Sequence, residues 1–144
     1  MRSIIVLLTC LLLVSEMQAQ IRTLRVEQLP VPSVEQWNAP LFSPSGTELF
    51  LTNVAHDGIW QYSLRTGLLK KLTSDRGAGF DPRLSENGST ITYRTTVVPG
   101  DHRTRVQESV SLSVTTGKKT ILHRANSVEL PLFIRNTVMV PERP

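Results

Sequence analysis

A chain of 144 residues with a single cysteine can form no internal disulfide and no thiolate metal cluster. That cysteine, Cys10, sits inside the unbroken apolar run IIVLLTCLLLV at 4–14, with more leucines after it. A lipid-bearing cysteine would end such a run, so an N-terminal lipoprotein anchor is excluded. Charge of either sign is also sparse, with 16 Lys and Arg against 12 Asp and Glu, a net charge of +4, and no dense basic block. With no nucleic-acid recognition motif either, nucleic-acid binding is not expected. There is no Gly-x-Ser-x-Gly elbow, no Gly-rich phosphate loop and no His-Glu-x-x-His pair. No stretch has helical periodicity. These absences set the expectation of a chain that is not an enzyme and uses no cofactor and no metal.

What is present begins with Arg2, the apolar run, and then the polar stretch SEMQAQ at 15–20. A charged start, an apolar middle and a small residue at the cut make a secretory signal peptide. We place it at 1–19, with cleavage after Ala19. The run is too short for a stable membrane span. The product is therefore expected to be exported, to the periplasm or the extracellular space. Removing the signal takes one charge of each sign, Arg2 and Glu16, so the net charge stays at +4. Residues 20–36 read as a lead-in, with a strand at TLRV (23–26) and a proline-punctuated linker.

The rest repeats itself. With Gly46 set on Gly88, 42 residues on, Pro40 falls on Pro82, Ser43 on Ser85, Leu49 on Ile91 and Leu51 on Tyr93. Gly67 falls on Gly117 at a shift of 50, bringing Trp60, Tyr62 and Leu64 onto Val110, Leu112 and Val114. The extra eight residues lie in VVPGDHRTRVQ, between the second and third strands of the second copy. A third copy opens at ELPLFIRNTVMV, with Pro131 on Pro82. Alternating apolar and polar residues in IWQYSL and STITYRT mark strands. In the first copy they are expected at 41–43, 47–53, 58–64 and 68–73. Ser43, Pro44 and Gly46 build one turn, Gly88 its counterpart, and Gly67 and Gly117 supply the positive φ of two hairpins. Trp60 and Tyr62 face one side of their strand and are expected in the core between units. Lysines at 70–71 and 118–119 suit an outer edge strand, where they oppose edge-to-edge pairing.

Four short strands every forty residues or so is the signature of a β-propeller. The pattern PLFSPSG, ELFLT, GIWQYSLRTG, KKLT resembles the WD-like repeat of TolB-type propellers, with its Ser-Pro-Asp-Gly turn. The first copy departs by having Ser45 for the Asp; the second has Glu86 for the proline and Asn87 for the Asp. The reading is an all-β, partial β-propeller of about two and a half four-stranded antiparallel blades. Its expected parts are blade 1 at 37–78, blade 2 at 79–127 and an incomplete blade 3 at 128–144. Such an array leaves blade faces open at its ends, so self-association through them is expected to be possible.

The resemblance implies an exported, non-catalytic scaffold for a protein partner or small ligand. The alternative is a propeller belonging to a secreted peptidase of the prolyl-oligopeptidase kind, or a propeller lyase with a histidine-based site. Polar loops supply the candidate binding residues. His56 and Asp57 lie in the loop joining the second and third strands of blade 1. Asp101, His102, Arg103 and Arg105 lie in the corresponding, longer loop of blade 2. His123 is placed in the connection out of blade 2. All three histidines are thus expected at one end of the blades, where a His and carboxylate set suits acid–base work and arginines suit an anion. Asn87-Gly88-Ser89 also matches a glycosylation sequon, but the turn explains it without one.

Overall fold

The computed structural model describes residues 25–100 and 105–141. The expected signal peptide lies outside the described residues, as do Asp101, His102 and Arg103 of the inserted loop. Two sheets of four antiparallel strands carry most of the chain. The first runs β1 (Trp37–Phe42), β2 (Glu48–Asn53), β3 (Ile59–Ser63), β4 (Leu69–Thr73), each strand beside the next. The second repeats that order with β5 (Arg83–Leu84), β6 (Thr90–Val97), β7 (Val106–Ser113), β8 (Lys119–Ala125). A hairpin of β9 (Leu132–Ile134) and β10 (Thr137–Met139) follows. Among the described residues no helix is long and apolar enough to cross a membrane.

The repeat seen in the sequence is a repeat of hydrogen bonds. Ser43 Oγ accepts from Glu48 N at 3.0 Å, and Ser85 Oγ from Thr90 N at 3.1 Å. Gly46 N donates to Ser43 O, and Gly88 N to Ser85 O, both at 2.9 Å. Gly46 and Gly88 take φ of +69° and +71°, which a side chain would strain. Asn87 does the work of the missing Asp, its Oδ1 accepting from Ser89 N at 3.0 Å and Ser89 Oγ at 2.8 Å.

The first strand and the insertion differ from the sequence reading. The first strand starts at Trp37, not at 41, because Trp37 pairs with Asn53 across a register shift between Asn38 and Leu41. The eight inserted residues do not all go into a loop. They lengthen the β6–β7 hairpin, which pairs in unbroken register from Thr90 with Ser113 to Val97 with Val106.

Each sheet has a front, toward the preceding unit, and a back. The front of the second sheet, with Ile91, Tyr93, Val110, Leu112 and Val114, packs against Phe50 and Ile59 on the back of the first and Ala78 of the 74–82 connection. This is the larger core. Trp60 and Tyr62 lie elsewhere than expected. They share the front of the first sheet with Leu49 and Leu51, since Leu49 pairs with Tyr62 and Leu51 with Trp60. That face is covered by residues 29–37, not by another sheet. Val31 and Trp37 pack onto it, and Trp37 meets the Trp60 ring edge-on at 5.3 Å. Tyr62 Oη donates to Pro30 O at 3.3 Å. Arg25 and Val26, at the end of the expected TLRV strand, lie outside any strand.

The edge lysines have partners as well as an edge to guard. Lys71 Nζ stands 4.6 Å over the Trp60 ring, and Lys119 reaches the carboxylate of Asp75.

Candidate functional site

Antiparallel order brings the 54–58 loop and the 74–82 connection to one end of the first sheet. The structure ties them together. Gly79 N donates to His56 O at 2.9 Å, and Gly58 N to Asp75 O at 3.0 Å. The Asp57 carboxylate accepts from Gly77 N at 2.7 Å. His56 Nδ1 lies 3.2 Å from Gly79 O. A carbonyl only accepts, so Nδ1 carries the proton. His56 is itself held at φ +58°, in the left-handed region that a histidine rarely adopts. Its amide donates to Asn53 O at 2.9 Å, which helps fix that turn.

Space is as tight as the bonding. A Cβ on Gly79 would stand 1.8 Å from Thr52 Oγ1, and one on Gly58 would stand 2.7 Å from Thr73 O. Only glycine lets the connection lie down on the sheet end. The result is a rigid platform with Phe80 on top, 70% exposed, its ring 4.9 Å from the His56 imidazole. Val54 is exposed on the neighbouring loop, 56%.

The same connection is locked to the second sheet. Asp75 Oδ2 accepts from Tyr93 Oη at 2.6 Å, and Lys119 Nζ donates to both carboxylate oxygens at 2.7 and 2.8 Å. Burial works against the Asp75 charge, but the bonds from Lys119, Tyr93 and Thr73 outweigh it and hold the carboxyl below its ordinary value. Burial, followed by the Asp75 carboxylate, pushes the Tyr93 phenol well above its own. Arg76 O accepts from Thr95 Oγ1 at 3.0 Å and from Thr96 N at 3.2 Å. Beside the latch is an open cleft of about 260 Å³, which Lys119 and the buried Glu108 help to line. Arg124 donates to Glu108 from the edge strand.

His123 is not in a connection; it lies on β8, opposite Ser109. There it lines a groove of about 470 Å³ with Leu122, Val128, Glu129 and Val140. His56 and His123 therefore occupy the walls of different features. Arg105 is exposed at the foot of β7. Among the described residues no three His, Cys, Asp or Glu side chains gather in a way that could hold a metal. Nothing local in the sequence pairs Asp75 with Tyr93 and Lys119, 18 and 44 residues away. Sequence reasoning also passed over Phe80, whose only signal is a bulky aromatic directly after Gly-Ala-Gly.

Four-stranded antiparallel sheets packed face to face define the class, a partial β-propeller. No protein-family model matches the chain, and no curated protein matches it by sequence. Solved structures do resemble it. The tricorn protease matches 59% of this chain at a TM-score of 0.51 and 18% identity, over 8% of its own length. TolB from Acinetobacter baumannii matches 62% of this chain at a TM-score of 0.49 and 16% identity, over 21% of its own. The chain thus spans less than a quarter of either protein. At such identities the likeness is one of fold. That fold is the partial β-propeller, with the turn at 43–46 repeated at 85–88.

Proposed function

We propose that the chain is an exported, non-catalytic propeller segment that serves as a binding scaffold, holding a protein partner at the loop end of its blades. The observation that carries this reading is Phe80. A large aromatic ring stands in solvent on backbone fixed from both sides by His56, Asp57 and two sterically required glycines. Rigid, exposed aromatics are the common anchors of protein interfaces, because little entropy is lost on docking. His56 and Asp57 act here as braces for the anchor.

The test uses three tagged baits in extracellular or periplasmic fluid: the wild type, Phe80→Asp, and Leu68→Asp, which changes an equally exposed side chain in the hairpin at the opposite end. A partner retained by the wild type and Leu68→Asp, and weakened at least about tenfold by Phe80→Asp, is the expected result. Equal retention by all three would sink the proposal. Export is tested separately, by fusing residues 1–36 to a phosphatase active only outside the cytoplasm. Leu12→Arg, which breaks the apolar run, should abolish that activity.

A second reading, the propeller part of a secreted peptidase, has the likeness to the tricorn protease in its support. It needs a nucleophile outside residues 25–141, and peptide hydrolysis by the captured complex would favour it. A histidine-based lyase draws less support, since His56 and His123 stand on different features, the loop platform and the β8 groove.

A further inference from the structure

The front of blade 1 and the back of blade 3 match each other as the faces buried between blades 1 and 2 do. Inside the molecule, the back of blade 1 presents the cross-strand pair Leu41 and Phe50 to the front of blade 2. In blade 3 the positions equivalent to that pair are Leu132 and Met139, which also pair across their hairpin. In blade 2 the equivalents are Arg83 and Thr92, and the pattern is broken. Blade 3 therefore carries on its back the apolar pair that blade 1 buries, next to Ile134. Yet Met139 is 48% exposed and Ile134 60%.

At the other end, the front of blade 1 repeats the front of blade 2. Leu49, Leu51, Trp60 and Tyr62 stand where Ile91, Tyr93, Val110 and Leu112 receive the back of blade 1. Phe42 pairs with Leu49 on this front, as Leu84 pairs with Ile91 on the other. Leu84 packs against the inter-blade core, whereas Phe42 is 57% exposed. Residues 29–36 cover the rest of that front and are held to the sheet by few hydrogen bonds. Val31 N to Leu29 O stays within the strap, while Trp37 Nε1 of β1 donates to Pro32 O at 2.7 Å and Tyr62 Oη to Pro30 O at 3.3 Å, which is long.

We infer that the front of blade 1 is a docking seat for blade 3 of a second copy of this chain, and that residues 29–36 are a displaceable cover over it. The interface is head-to-tail and reproduces the contact already made between blades 1 and 2. Docking moves the cover off Leu49, Leu51 and Tyr62 and buries Phe42 of one copy against Leu132, Ile134 and Met139 of the next. Because the two faces differ, the contact repeats from copy to copy and closes only if the rotation brings the last blade round to the first.

Complementation tests this on the full chain, by sedimentation velocity over rising concentration. The wild type should associate. Phe42→Asp and Met139→Asp, both at exposed positions, should each weaken association at least about tenfold, a change of roughly 1.4 kcal/mol. Mixed together, the two variants should form a one-to-one dimer, since one keeps a sound back face and the other a sound front. Val31→Ser, which loosens the cover, should tighten association, and a free peptide of sequence 28–38 should compete with it. Circular dichroism should be unchanged in every variant. A wild type and a Val31→Ser variant that both stay monomeric would overturn the inference. So would association indifferent to Phe42 and Met139, or a mixture no more associated than its parts. Weaker or unaltered association of Val31→Ser would overturn the role of the cover.

Discussion

The two junctions between blades are built from different materials. Between blades 1 and 2 the contact is apolar and closed, with Ile91, Tyr93 and Leu112 fully buried against Phe50, Ile59 and Ala78. Between blades 2 and 3 the back of the sheet presents Thr92, Arg94 and Ser109, and the chain at 128–131 docks by hydrogen bonds. Ser109 Oγ donates to Glu129 O at 2.7 Å, Thr92 Oγ1 to Pro131 O at 3.4 Å, and Val128 N to Gln107 Oε1 at 3.1 Å. Burial of apolar area stabilises by its extent, while each hydrogen bond exchanged with water contributes little net. The first junction should therefore hold the fold and the second should open first, on the same scaffold and at equivalent positions.

The largest break in that comparison is expected from Leu112→Ala at the apolar junction. Truncating a fully buried leucine costs about 2–5 kcal/mol, and urea unfolding would read it as a lowered midpoint. Next is Gly79→Ala at the loop platform. The new methyl cannot coexist with Thr52, so the connection must lift, at about 1–3 kcal/mol. Thr52→Ser should not rescue it, because Thr52 Cβ would itself lie 2.3 Å from the added carbon. A destabilisation confined to the loop, seen by hydrogen exchange, is expected at 54–58 and 74–82.

The latch at Asp75 makes the apolar junction pH-dependent. Since its folded carboxyl titrates below the ordinary 3.8, its contribution is full above that value and fades as pH falls through the lower, folded one. Asp75→Asn should therefore lower stability at neutral pH, and the gap to the wild type should narrow as pH falls below 3.8 and through the lower, folded value. A gap that persists in acid would show that the latch acts through the shape of the side chain and not through its charge.

What the sequence disclosed, and what it hid, follows the same division. Turn glycines and their serine partners were legible because each is a local requirement: positive φ at Gly46 and Gly88, a side-chain acceptor at Ser43 and Ser85. Strand alternation was legible too, so the blades could be counted. Alternation says that Trp60 and Tyr62 share a face, but not which neighbour covers it, and here the cover is the lead-in and not a blade. His123 reads as a loop residue although its counterpart at a shift of 50, Thr73, ends β4; it pairs with Ser109 as Thr73 pairs with Ile59, so the repeat itself carried the signal. The latch joins residues brought together only by stacking one sheet on the next, and no local pattern encodes that.

At the polar junction the effects should be smaller and local. Ser109→Ala removes a short bond to Glu129 O and should cost about 0.5–1.5 kcal/mol. Faster hydrogen exchange is expected in β9 and β10, with blade 1 unaffected.

The smallest effect is expected at Thr92, and it separates two accounts of why the back of blade 2 is polar. Its counterpart in blade 1 is Phe50, a core residue. If the 3.4 Å bond to Pro131 O holds blade 3, Thr92→Val should loosen the hairpin measurably. A bond that long is weak, however, and valine has the same shape with one more methyl to pack against the buried Pro131. The expected change in the urea midpoint is therefore within about 0.5 kcal/mol, with exchange in β9 no faster than in the wild type. That outcome would assign the seating of blade 3 to the other bonds, from Ser109, Gln107, Arg94 and Asn87. A clear loss would instead make Thr92 a bonded post, one more hydrogen bond beside those of Ser109, Gln107, Arg94 and Asn87.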